Sequence, residues 1–234
     1  PLSSGANLAL TGSAARHLSS ALRMSVGQEI TLFNGLGGEF SATLTTTAKS
    51  QVDVSIGDGH EIDRESPMKL HLAIAVSRGE RMDWIVQKAT ELGVRALLPT
   101  TTRRTVVERI NLVRLGTTAA EAAEQCRRLS VPELRAVQPL DKVLDAWPPE
   151  RRLLFCDEAG APPPVQALQR FADTPATPWA ILIGPEGGFD PDESRALRER
   201  PFVVPMSLGP RILRAETAAV TALSLWQALL GDNQ

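Results

Sequence analysis

The sequence predicts two parts: a small all-β unit over residues 1–66, then an α/β unit over residues 67–234 on a mostly parallel sheet. Three observations carry this. Short polar–apolar alternations fill the first 66 residues. Beyond Pro67, apolar runs of strand length alternate with segments of helical period. Two of those runs end in loops rich in glycine and proline.

In the first unit, Gln28-Glu29-Ile30-Thr31-Leu32-Phe33 and Glu39-Phe40-Ser41-Ala42-Thr43-Leu44 flank Asn34-Gly35 and Gly37-Gly38, which predicts a hairpin. Gln51-Val52-Asp53-Val54-Ser55-Ile56 alternates a third time and is closed by Gly57-Asp58-Gly59. A helix is expected over residues 13–24, with Ala14, Leu18, Ala21 and Leu22 on one face. Short strands at this spacing predict a small β-barrel. The acidic, turn-rich run 58–67 reads as a linker.

In the second unit, strands are expected over 70–76, 94–98 (closed by Pro99), 152–156, 179–183 and 202–204. Helices are expected where Met82, Ile85, Val86, Ala89 and Leu92 repeat before Gly93, and over 112–129, 165–171, 192–200 and 217–230. The last helix is apolar nearly all round, with Thr217, Thr221 and Ser224 as a narrow polar stripe, so it must be buried. Its own domain and a second copy of the chain both fit as the cover.

Hydrophobic residues at 43% and charged residues at 22% exclude wholesale disorder. Charge-free apolar stretches stay short of the roughly 18 residues a membrane span needs. No secretory pattern opens the chain, and Cys126 and Cys156 read as two reduced thiols, so a cytoplasmic protein is expected. His17, His60 and His71 lie far from either cysteine, so no metal is expected. Net charge is −2, yet residues 77–128 carry ten Lys/Arg against six Asp/Glu, a local basic surface suited to one polyanion contact. Aromatics at 4%, with no Tyr, exclude a row of base-stacking platforms.

Chemistry is expected in the two loops, because ligands of open parallel sheets bind beyond the carboxyl ends of the strands. The first is Ile183-Gly184-Pro185-Glu186-Gly187-Gly188-Phe189, and the second is Ser207-Leu208-Gly209-Pro210-Arg211-Ile212-Leu213-Arg214-Ala215-Glu216-Thr217. Neither matches a dinucleotide fingerprint or a Walker A loop. No histidine lies near either, which disfavours a hydrolytic triad.

Ile-Gly-Pro-Glu-Gly-Gly at 183–188 and Ser-Leu-Gly-Pro-Arg-Ile-Leu-Arg-Ala-Glu-Thr-Ala at 207–218 resemble the SPOUT methyltransferases of the RsmE family, which modify 16S ribosomal RNA at a uracil N3. Supporting segments follow in the family's order: Ser77-Arg78-Gly79-Glu80-Arg81-Met82, Gln87 to Gly93, Thr102-Arg103-Arg104-Thr105, and Glu124-Gln125-Cys126-Arg127-Arg128 up to Val131-Pro132-Glu133. The resemblance implies an α/β SPOUT domain with a C-terminal trefoil knot at about 180–226, preceded by a PUA-like β-barrel that binds RNA. The barrel's first strand is expected ahead of Pro1.

The resemblance further implies S-adenosyl-L-methionine as methyl donor, a homodimer, and 16S ribosomal RNA of the small subunit as substrate, at uridine 1498. Ile183, Gly184, Pro185, Glu186, Gly187, Gly188, Leu208, Gly209, Ile212 and Leu213 are the expected cofactor-binding residues. Uracil N3 is a poor nucleophile until its proton leaves, and the resulting charge spreads onto O2 and O4. Guanidinium donors suit that anion, so Arg214 and Arg128 are expected catalytic residues, with Glu216 a candidate proton acceptor. Arg78, Arg81, Arg104 and Arg127 are expected to contact RNA. Two other readings fit less well: a SPOUT enzyme acting at another ribosomal or transfer RNA position, and a non-catalytic RNA-binding assembly factor.

Overall fold

Side-chain alternation in the first unit produces an antiparallel sheet with one apolar face. The computed structural model describes residues 2–33, 38–61, 70–77, 79–107, 109–173 and 177–231, in two compact units, Pro1–Glu65 and Ser66–Gln234. In the first, β1 (Asn7–Thr11) leads into α1 (Gly12–Arg16) and a π-helical turn over His17–Ala21, followed by β2 (Glu29–Phe33), β3 (Gly38–Thr47) and β4 (Gln51–Glu61). The strand order is β1-β4-β3-β2. Ala42, Leu44, Val52 and Val54 pack on Ala15 and Leu18. Register shifts between Phe40 and Ala42 and between Leu44 and Thr46 let β3 curl over that core.

Three expectations change here. β1 was missed, although Asn7-Leu8-Ala9-Leu10-Thr11 alternates like its neighbours. The helix ends at Ala21 in a π turn, and its buried set is Ala15 and Leu18, with Ala14, Ala21 and Leu22 exposed. Asp58–Glu61 belongs to β4 rather than to a linker, pairing with β3 as far as Gly38. The expected turn at 34–37 and the remainder of the linker, 62–67, lie outside the described residues.

In the second unit β5 (Leu70–Ala75), α2 (Glu80–Glu91), β6 (Ala96–Thr101), α3 (Leu112–Cys126), β7 (Glu133–Leu134), β8 (Gln138–Pro139) and α4 (Leu140–Asp145) come first. Then follow β9 (Arg152–Cys156), α5 (Pro164–Leu168) with a 3-10 turn at Gln169–Phe171, β10 (Trp179–Ile183), α6 (Pro191–Arg198), β11 (Val203–Met206) and α7 (Ala215–Leu230). The seven strands pair in parallel, ordered β11-β9-β10-β5-β6-β7, with β8 also on β6. Both faces are covered, which is why β10 is buried along its whole length. Leu70, Leu72 and Ile74 face α2, α3, α5 and α7, while Ala73, Leu153 and Leu182 face α4 and α6.

Pro99 does not close its strand. It sits inside β6, in register with Ile74. The Thr100 carbonyl accepts from Val76 and the Leu97 carbonyl from Arg135, so Pro99, in phase with Leu97, turns its missing N–H toward the gap between β7 and β8. A proline is tolerated where no ladder bond is lost. The short β7, β8 and α4 were not anticipated. α7 buries Ala219, Ala222, Leu223 and Trp226 within its own unit and leaves Val220, Leu225 and Leu229 half-buried. No helix among the described residues is long and apolar enough to cross a membrane.

Candidate active site

The carboxyl ends of three adjacent strands, β11, β9 and β10, open onto one cavity of about 290 Å³. Of the expected cofactor residues, Ile183, Gly184, Pro185, Gly188, Leu208, Gly209, Ile212 and Leu213 line it. The two glycine loops therefore meet as the sequence anticipates. Glu186 and Gly187 face outward from the same loop.

The first loop has little freedom. A β-carbon on Gly184 would come within 2.6 Å of the Phe189 ring, which stands edge-on to Phe155 at 5.1 Å. Gly188 has φ +66°, a left-handed conformation, and a β-carbon there would come within 2.7 Å of Glu158 Oε1. The Gly188 N–H donates to the Pro185 carbonyl at 2.9 Å. Beyond it, Asp190 caps α6 in a reciprocal box with Glu193, and Pro191 takes the first helical position.

Arginines from elsewhere in the unit brace this loop from outside. Arg81 Nη1 pairs with Glu186 at 2.5 Å, Arg104 Nη1 donates to the Gly187 carbonyl at 3.0 Å, and Arg103 Nη1 donates to Asp190 at 2.9 Å. Burial acts to raise the Glu186 carboxyl, but its own backbone N–H and the Arg81 guanidinium hold it below the ordinary value. Two of the expected RNA contacts, Arg81 and Arg104, are thus engaged with the loop. Arg127 is exposed in a left-handed conformation at the end of α3. Arg78 lies outside the described residues.

In the second loop Gly209 has φ +103°, and its N–H donates to Ser207 Oγ at 3.2 Å. Arg214 ends the loop as the residue before α7, its carbonyl accepting from Ala218 at 2.8 Å. Its side chain is exposed and makes no hydrogen bond or ion pair among the described residues. Glu216 follows in the first turn of α7, and its Oε2 is buried without a hydrogen-bond partner among the described residues. Arg128 is placed differently. It is buried, with Nη1 donating to the carbonyls of Thr90 at 2.7 Å and Val94 at 3.1 Å and Nη2 to Ser130 at 3.0 Å. It closes the end of α2 and does not line the cavity.

A third wall went unread in the sequence. Cys156 at the end of β9 and Asp157, Glu158 and Ala159 after it line the cavity with Phe189, Arg198 and Arg211. Asp157 is buried and takes both Arg198 Nε at 2.8 Å and Nη2 at 2.5 Å, while its other oxygen accepts from Ala159. Burial and neighbouring Asp157 push the Cys156 thiol up, so it stays protonated. The strand-end rule applied to 152–156 would have found this wall.

The parallel sheet with glycine loops beyond its carboxyl ends, following a PUA-like domain in the chain, fits an RNA methyltransferase of SPOUT type. Residues 64–227 match the RNA methyltransferase domain family and residues 10–57 the RNA methyltransferase PUA domain family. The chain belongs to the ribosomal RNA small subunit methyltransferase E family. It is 31% identical to that methyltransferase from Bacillus subtilis (strain 168), over 92% of this chain and 87% of the relative. Among solved structures, the Neisseria gonorrhoeae ribosomal RNA small subunit methyltransferase E bound to S-adenosyl methionine is 32% identical, with TM-score 0.90, over 100% of this chain and 96% of that one. A putative methyltransferase from Legionella pneumophila in complex with the bound cofactor SAM is 39% identical, with TM-score 0.85, over 97% and 94%. The residues present here fit such a cofactor: the volume is near the lower end for small-molecule sites, about 300 Å³, and a β-carbon at Gly184 or Gly188 would crowd its wall.

Proposed function

We propose that the protein transfers a methyl group to N3 of a uridine in 16S ribosomal RNA of the small subunit, by family likeness uridine 1498, and works as a homodimer with residues 180–226 threaded through a trefoil knot. One observation carries this reading. In a chain of this family, the cavity at the ends of β9, β10 and β11 is followed directly by the uncommitted guanidinium of Arg214.

S-adenosylmethionine, when bound, supplies the methyl group as a sulfonium electrophile. The cavity-lining residues of both loops would hold it, with Glu186 and Gly187 fixing the first loop through Arg81 and Arg104. Arg214 donates toward the oxygens of the uracil as N3 loses its proton. A guanidinium keeps its charge at every working pH and stabilises the anion it faces. Glu216, two residues on in the first turn of α7, is the proposed acceptor of the N3 proton. Arg128 is a positioning residue that secures the turn between α2 and β6. The target base must be single-stranded or flipped, because pairing hides N3, and Arg127 and Arg78 are offered to its phosphates.

Labelled-methyl transfer to small subunits lacking the modification, followed by nucleoside analysis, tests this. Label in N3-methyluridine at the named position supports the proposal. Label at another nucleotide makes the protein a SPOUT enzyme of different target, and tight binding without label makes it an assembly factor.

A further inference from the structure

We infer that the amino-terminal edge of the central sheet carries a second ligand site, for a phosphodiester group of the RNA backbone, built from His71, Arg95, Arg135 and Arg151. The choice of RNA rests on the function proposed above; the anion chemistry does not.

His71 is the second residue of β5 and is buried. Its register partners on either side are Ala96 of β6 and Ala180 of β10. Arg95 immediately precedes Ala96, and its N–H donates to the Leu70 carbonyl at 2.8 Å. Arg135 follows β7, its N–H donating to the Leu97 carbonyl at 3.0 Å. Arg151 precedes β9, two residues before Leu153, the register partner of Ala180. Three neighbouring segments thus bring three guanidinium groups close enough to act on His71.

The counter-charge does not match them. Glu133 holds Arg135 at 3.1 Å, whereas Glu150, beside Arg151 in sequence, acts on it through space without a salt bridge among the described residues. Arg151 Nε and Nη1 are buried and have no hydrogen-bond partner among the described residues. Buried donors left unpaired are costly, and a guanidinium fork matches phosphate oxygens two at a time. Arg95 and Arg135 are exposed and form an open rim on which a chain of phosphates can run. A strand of five residues spans roughly 17 Å, so this edge is separate from the cavity at the opposite strand ends.

Burial, then Arg151, Arg135 and Arg95, push His71 down to about 3. An anion among those arginines relieves the electrostatic part and moves the ring upward, so the imidazole reports occupancy. The test uses the full chain with carbon-13-labelled histidine, the His71 resonance being identified by its loss in His71→Gln. Inorganic phosphate and a single-stranded oligouridylate without terminal phosphate are titrated separately. The expected result is that both move the His71 resonance and raise its pKa, and that Arg151→Gln abolishes both responses. The same variant should keep S-adenosylmethionine affinity and flatten the slope of log oligonucleotide affinity against log salt by about one. Arg135→Gln, at an exposed position, carries the same expectation if Arg151→Gln does not fold. A response to phosphate alone overturns the RNA assignment, and no response, or one that survives both variants, overturns the site. Methylation at N3 without a His71 response sinks this site and leaves the proposed reaction standing.

Discussion

The two ends of the central sheet differ in how they use most of their arginines. At the carboxyl end, Arg81, Arg103, Arg104 and Arg198 each have a carboxylate or carbonyl partner, and together they fix the walls of a cavity. At the amino end, the guanidinium groups of Arg95 and Arg151 have no hydrogen bond or salt bridge among the described residues and act on a histidine that stays neutral. A guanidinium with a partner shapes the protein; one without a partner is left for a ligand. The basic surplus of residues 77–128 does not distinguish these cases, because a residue count carries no partners.

The contrast can be broken at either end, and the largest effect is expected at the cavity. Gly188→Val forces a β-branched residue into a left-handed conformation and against Glu158. It should weaken S-adenosylmethionine binding roughly ten- to a hundredfold while the protein stays folded; unchanged affinity by calorimetry would remove the cavity from the account. Asp157→Asn leaves Arg198 without its anion beside a buried amide, and should lower unfolding free energy by about 1–3 kcal/mol in denaturant titrations.

At the amino end, acid should destabilise the fold. An unfolded histidine titrates near 6.5 and folded His71 at about 3. Between those values the unfolded chain binds a proton that the folded chain does not, so stability is fully present above about 6.5 and falls as pH drops toward about 3. His71→Gln should make the melting temperature less dependent on pH in that window, and an undiminished dependence would contradict the assignment. The smallest effect is expected for Arg81→Gln. Its pair with Glu186 is part-exposed, so the loss should be below about 1 kcal/mol, seen as a slight drop in melting temperature.

Much of this was legible in the residues where one signal acts alone. Strands 152–156 and 179–183 appear with the expected bounds because an uninterrupted apolar run in a two-sided sheet admits no other face. The glycine loops were legible because turn chemistry is local. What failed needed a neighbour. Pro99 is a strand residue because β7 and β8 leave a gap beside it. Ala15 is buried in place of Ala14 because the sheet it packs on selects the helix face, and Leu22 is exposed because the helix has ended in a π turn. Arg128 read as a substrate contact, and its carbonyl partners Thr90 and Val94 lie 38 and 34 residues away in sequence. Arg214 carries the same side chain, and its lack of a partner among the described residues is a fact of the fold alone.

Single-turnover methyl transfer by Arg214→Ala, measured beside its S-adenosylmethionine affinity, tests the central claim most directly. The account predicts donor affinity equal to wild type and a rate on small subunits lower by roughly 10²–10³, the loss typical of one charge-stabilising donor. A wild-type rate would contradict it.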